Sequence, residues 1–165
     1  MSDFFDHPVV CNAGPILGLS RVNQIDLLLR LFPQVILPRE VVEELLLIPH
    51  ADTPALQRQL SAFHRLDIPC QPERRLLADL DLGEAAVIAT AVKRQITGIL
   101  MDEKRGRRIA TLVYGLQVKG TCAVLVAAKN RGLISAVRPL LETMRARGYY
   151  LGPQVVTEAL RLARE

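Results

Sequence analysis

The chain has 165 residues, half of them apolar and only 4% aromatic, with 21 Lys and Arg against 17 Asp and Glu, a net charge of +4 and a pI of about 9.3. One domain of this length buries roughly 70% of the surface its unfolded form exposes, and an apolar set of mostly Leu, Val, Ile and Ala suits helices on a buried parallel sheet. So few aromatics argue against a base-stacking platform, and so small a basic excess favours a polyanion only where the charges are placed to meet one.

In chain order, Pro8 to Cys11 is a short apolar run that stops at Asn12-Ala13-Gly14-Pro15, turn chemistry followed by a residue suited to a first helical turn. This reads as strand, turn, helix. Ile16, Leu17 and Leu19, then Ile25 and Leu27 to Leu31, supply two helical patches separated by Ser20 to Gln24, and Pro33 ends the second. Gln34 to Leu37 is a second strand candidate. Pro38 starts a helix expected to reach about Ile48, where Pro49 stops it, with Val41, Val42, Leu45, Leu46 and Ile48 on its apolar side. Glu43 and Glu44 differ there by only about 20° in distance from the apolar edge at 100° per residue, so the pattern does not choose between them. Asp52-Thr53-Pro54 caps a further helix from Ala55 to Phe63, and Arg65 to Ile68 reads as a strand followed by the breakers Pro69 and Pro72.

The stretch Leu80 to Ala110 organises the rest. Asp81 caps a helix whose third residue is Glu84, Val87, Ile88, Ala91 and Val92 give that helix a buried face, and Ile99-Leu100-Met101 is a short all-apolar strand ending at Asp102. A basic turn, Lys104 to Arg108, follows. Arg107 to Leu116 is read as helix, Gln117 to Lys119 as a short strand, and Cys122 to Asn130 as a helix closed by Gly132. Leu140, Leu141 and Met144 mark the next helix, with Gly148 after it. Tyr149-Tyr150-Leu151 is taken as an extended piece suited to a sheet edge, and Pro153 starts the last helix. Strands alternating with helices indicate βαβ units, hence an α/β fold, a three-layer α/β/α sandwich around a mostly parallel sheet. The whole chain, 1–165, is expected to form one domain, with 133–165 as a helical extension packed on it.

Cys11, Cys70 and Cys122 are odd in number and lack ligand spacing, which predicts three reduced, mostly buried thiols. His7, His50 and His64 are scattered, so no zinc-type site is implied. The N-terminus carries acids before any apolar run, and no segment approaches the roughly 18 apolar residues of a membrane span, so a cytosolic protein is expected. No G-x-x-x-x-G-K-[ST], G-x-G-x-x-G or G-x-S-x-G pattern occurs, which leaves ATP binding, dinucleotide binding and serine hydrolysis without a motif.

The topology suggests a chemical constellation. Ligands of parallel sheets collect at the carboxyl ends of the strands. Asn12 ends the first strand, Glu43 or Glu44 lies on the following helix unit, Glu84 opens the central helix, and Asp102 and Glu103 follow the later strand. Hard oxygen donors without Cys or His suit Mg²⁺ or Mn²⁺, which bind through one or two carboxylates while water and a substrate phosphate fill the remaining positions. Such an ion lowers the pKa of water and neutralises charge on phosphate oxygens. Lys104, Arg105, Arg107 and Arg108, with Lys93, Arg94 and Lys119 elsewhere in the region, make a basic rim suited to a nucleic-acid backbone.

These residues resemble the PIN-domain proteins, in the small prokaryotic branch related to VapC-type toxins. The similar stretches are VVCNAGPILGL, LPREVVEELL, LDLGEAAVIATA, LMDEKRGRRIA and VKGTCAVLVAAKNRGLI, and the resemblance covers nearly the whole chain. It implies a metal-dependent, usually RNA-cleaving nuclease, often a homodimer and often held inactive by a small antitoxin. Carried over position by position, the family's acids fall on Asn12, Glu44, Glu84 and Asp102, with Glu103 as a fifth group. Asn12 departs from the family's usual Asp. It still offers a carbonyl oxygen but removes one negative charge, which should lower metal affinity.

Each position also has a plain structural reading. Asn12 suits a turn or helix cap, Glu84 completes a capping box with Asp81, Asp102 suits the cap of the next helix, and the Glu43–Glu44 pair and the Lys104 to Arg108 run suit solvated surfaces. Three activities are therefore carried forward. They are a Mg²⁺- or Mn²⁺-dependent ribonuclease acting as the toxin of a toxin–antitoxin pair, a catalytically weakened PIN-fold module that binds RNA or protein, and a small-molecule phosphohydrolase.

Overall fold

A computed structural model describes residues 3–47 and 53–165. Five parallel strands, β1 (Val9–Cys11), β2 (Val35–Leu37), β3 (His64–Arg65), β4 (Gly98–Leu100) and β5 (Gln117–Lys119), form one sheet in the order β3-β2-β1-β4-β5. In register, Val10 of β1 stands opposite Ile36 on one side and Ile99 on the other, and Leu100 stands opposite Lys119. Every residue of β1, β2 and β4 is buried, so both sheet faces must be covered, which explains why these strands read as unbroken apolar runs. The edge strands carry His64, Arg65, Gln117 and Lys119 instead, polar side chains that discourage pairing with another sheet.

The cover comes from ten helices among the described residues: α1 (Ala13–Ser20), α2 (Asp26–Leu31), α3 (Arg39–Leu47), α4 (Thr53–Leu60), α5 (Arg74–Asp79), α6 (Leu82–Lys93), α7 (Lys104–Leu112), α8 (Thr121–Asn130), α9 (Arg138–Ala146) and α10 (Pro153–Leu162). The result is a three-layer α/β/α sandwich. α8 packs against α1, α2 and α10, while α6 lies on β1 and β4 and also meets α3, α5 and α7. The near-total burial of Ala85, Ala86, Val87, Ile88 and Ala91 lets α6 sit close to the sheet, since three of these five side chains are single methyl groups. No helix of the described residues is long and apolar enough to cross a membrane.

Several sequence expectations need correction. The Lys104 to Arg108 run is the first turn of α7 rather than a turn before it, because Glu103 stands at the helix N-cap and α7 begins at Lys104. Tyr149 to Leu151 form no strand: Gly148 adopts φ +81° and closes α9 with bonds from Gly148 N to Arg145 O (3.0 Å) and Tyr149 N to Met144 O (2.9 Å), the Schellman pattern. α5 had no sequence signal, since only Leu76 of its six residues is buried. β3 begins one residue earlier than expected and is only two residues long, at the sheet edge. The expected stop at Ile48 and Pro49 and the expected cap at Asp52 lie outside the described residues.

Candidate active site

The strand order turns back between β1 and β4, where successive connections leave in opposite directions. A crevice opens outside the carboxyl ends of the strands at such a point. Asn12 and Asp102 flank it from these two strands, joined by the Asn12 N–H donating to Leu100 O at 2.9 Å. Helix α6 starts on the same side and brings Glu84.

Asn12 stands at the N-cap of α1, yet its side chain makes no capping bond. It is 6% exposed, and its Oδ1 has no hydrogen-bond partner among the described residues. A buried acceptor without a donor is costly unless something positive meets it. Gly83 is the position toward which the neighbouring oxygens converge. At the point where a Cβ would stand on Gly83, Glu44 Oε2 comes to 2.6 Å and both Asn12 Oδ1 and Asp81 Oδ1 to 3.5 Å. The absence of a side chain there admits the carboxylate of α3 to the start of α6. Glu43, one residue earlier, points away and pairs with Arg39 at 2.7 Å on the exposed side of α3. Packing thus separates two acids that periodicity left equivalent.

Glu84 performs the capping role expected of it. Its N–H donates to Asp81 Oδ1 (2.8 Å), and its Oε2 accepts from the Asp81 N–H (3.2 Å). Its other oxygen faces Gly106, whose missing Cβ leaves the space that Glu84 Oε1 and Met101 Sδ border. Burial, then the charge of Asp81, raises the Glu44 pKa above the ordinary carboxylate range; for Glu84 burial and Asp81 lead again, with Glu103 and Glu44 adding to them. Glu44, Glu84, Asp81 and Glu103 therefore share one electrostatic environment. Glu103 itself is exposed at the N-cap of α7 and makes no capping bond.

Asp102 does not cap the helix that follows it. It caps α8 instead: Oδ1 accepts from the Thr121 N–H at 2.8 Å, and Oδ2 accepts from Thr121 Oγ1 at 2.6 Å. The N-cap position of α8 is Gly120, where a Cβ would stand 2.5 Å from Asp102 Oδ1, so the glycine vacates the place that the remote carboxylate takes. Oδ2 also accepts from Tyr149 Oη at 2.6 Å. Burial and the charge of Asp102 push the Cys122 thiol up to about 12, which keeps it protonated and inert.

Of the basic residues, Arg107 donates from Nη1 to Met101 O at 2.8 Å beside Gly120, and Arg105 pairs with Asp79. Lys104 and Arg108 are exposed at the start of α7. Sequence reasoning gave Asp81 its capping role with Glu84 but not its place beside the Gly83 gap, and it overlooked the contributions of Thr121, Tyr149 and the glycines at 14, 83, 106 and 120, which depend on approaches between distant segments.

Among the described residues no three His, Cys, Asp or Glu side chains close into a preformed metal cage. The oxygen set nevertheless fits a hard divalent ion of the Mg²⁺ type, which keeps water and substrate ligands and needs only one or two protein carboxylates. The unpaired Asn12 oxygen and the carboxylate crowding around Gly83 are the observations that support the fit.

A family model described as a PIN domain matches residues 8–165. No curated protein and no solved structure matches the chain. PIN domains are generally nucleases and usually use divalent metals. With that match spanning nearly its full length, the chain belongs to the PIN-domain family.

Proposed function

We propose that the protein is a Mg²⁺- or Mn²⁺-dependent ribonuclease that hydrolyses RNA phosphodiester bonds, acting in the cytoplasm as the toxin of a toxin–antitoxin pair. The observation that carries the reading is the buried, unpartnered Asn12 Oδ1 facing the same glycine gap as Glu44 and Asp81, at the carboxyl ends of parallel strands. Glu44 and Glu84, with Asp102 across the crevice and Glu103 at its rim, are the acids that would hold the ion, and Asn12 adds a neutral oxygen. When bound, the ion supplies Lewis acidity and makes hydroxide accessible near neutral pH.

The chain's own groups do the rest. Thr121 fixes both carboxylate oxygens of Asp102, so this acid needs no reorganisation on meeting substrate. The capping box fixes the start of α6, and with it Glu84. Arg107, held against the Met101 carbonyl, places positive charge beside Asp102, and Lys104 and Arg108 extend it along α7. A phosphate backbone laid over that helix end would meet cations there. Replacing Asp102 by Ala should reduce EDTA-sensitive cleavage of RNA by at least about 100-fold, a loss typical of removing one preorganised electrostatic group; full metal-dependent activity in a folded Asp102→Ala protein refutes the assignment.

A second reading has its own support. Asn12 lowers the negative charge of the site, and no preformed acid cage is present among the described residues. A weakened PIN-fold module that binds RNA or protein would follow. It predicts no metal-dependent cleavage by the wild type and tighter Mn²⁺ binding by Asn12→Asp, measured by calorimetry. Equal affinity in the two proteins removes the charge deficit as an explanation. A homodimer and a small antitoxin partner belong to the first reading, and mass measurement in solution with and without the co-encoded neighbour tests both.

A further inference from the structure

Tyr149 enters the crevice from a segment that carries none of the acids, and three features fix its position. The Schellman turn at Gly148 directs the chain back toward α1. Gly18 leaves room for the ring, since a Cβ there would stand 2.8 Å from Tyr149 Cε1. Gly14, one turn earlier on the same helix, leaves room for the hydroxyl, with a Cβ position 3.2 Å from Oη. The ring therefore lies in a slot made by two glycines four residues apart.

At the end of that slot the hydroxyl meets two acceptors, Asp102 Oδ2 at 2.6 Å and Gly14 O at 2.8 Å. It has one proton and can donate to only one of them at a time. Oδ2 meanwhile already accepts from Thr121 Oγ1 at 2.6 Å, so the tyrosine fills the remaining lone-pair position of that oxygen. Whichever acceptor takes the proton, Oη stays 2.6 Å from Asp102 Oδ2, so the hydroxyl oxygen itself covers that lone-pair position.

We propose that Tyr149 is a positioning residue whose hydroxyl covers one lone pair of Asp102 Oδ2 and so limits how tightly this carboxylate takes a divalent cation. The inference rests on the cation-dependent activity proposed above and adds a residue to it. Tyr149 thus competes with the cation for one lone pair while Thr121 keeps the carboxylate in place.

Calorimetric titration of the full chain with Mn²⁺ tests this. Tyr149→Phe keeps the ring in its slot and removes only the donor, so its Kd should fall about three- to tenfold, the scale of one net hydrogen bond. Gly18→Ala displaces the ring by a different route and should shift affinity the same way. Tightening is informative because a merely structural loss does not improve binding. Unchanged or weaker binding by Tyr149→Phe, with wild type binding Mn²⁺ and Asp102→Asn losing it, overturns the role of Tyr149 alone. Absence of Mn²⁺ binding by wild type, or wild-type affinity in Asp102→Asn, overturns this inference together with the metal reading beneath it.

Discussion

At the scale of single residues, the crevice gathers carboxylates against their own electrostatic preference. Glu44 and Glu84 both have pKa values raised by burial and by Asp81, so each binds a proton more tightly folded than unfolded. By linkage, their contribution to stability is present below the unfolded carboxylate range of about 4.3 and is lost as pH rises through the raised values. Glu44→Gln and Glu84→Gln should therefore melt above wild type at pH 7, on a scale of roughly 2–4 °C per kcal/mol for a chain of this size. Glutamine at 84 retains the reciprocal cap. Thermal unfolding at pH 4 and pH 7 checks the expectation: the gap between variant and wild type should widen with pH, and a constant gap contradicts it. The same substitutions should abolish cleavage, so stability and activity move in opposite directions.

The elements show why some of the fold was legible and some was not. The buried strands β1, β2 and β4 are short apolar runs bounded by breakers, and α6 announces itself through its capping box and apolar face. α5 has one buried residue and no period to detect, and aromatic residues at 149 and 150 imitated a strand where a Schellman turn delivers a side chain into the crevice. The candidate site was readable only as a set of acids expected at strand ends and helix starts. The choice of Glu44, the remote cap supplied by Asp102 and the purpose of Gly83 and Gly120 depend on tertiary approach, which local spacing does not encode. A further tertiary cap joins the last elements. Glu165 accepts from Lys129 Nζ and the Val137 N–H, both at 2.7 Å, and from the Arg138 N–H at 2.9 Å, tying α8 to the start of α9. The Lys129 bond, with the two backbone N–H groups, lowers the Glu165 pKa to about 2. The stabilisation linked to it is fully present above the unfolded range and is lost as pH falls from about 4.3 toward about 2. Glu165→Gln should flatten that part of the acid unfolding curve; an acid limb identical to wild type contradicts the cap.

For the whole molecule, the parallel sheet turns its strand ends toward one crevice, and the β1–β4 reversal fixes where that crevice opens. Residues distant in sequence meet there because α3, α6 and the segments after β1 and β4 are all carried to the same side of the sheet. The net charge of +4 matters less than its local placement, with α7 bringing Lys104, Arg107 and Arg108 to the edge of an acidic crevice. The central claim is that this crevice binds a divalent cation. Anomalous diffraction from a crystal soaked in Mn²⁺ tests it most directly. The account predicts a peak bordered by Asn12 Oδ1 and the carboxylates of Glu44 and Glu84, on the side facing Asp102; a well-diffracting soaked crystal without a peak there, or with its manganese bound elsewhere, would contradict it.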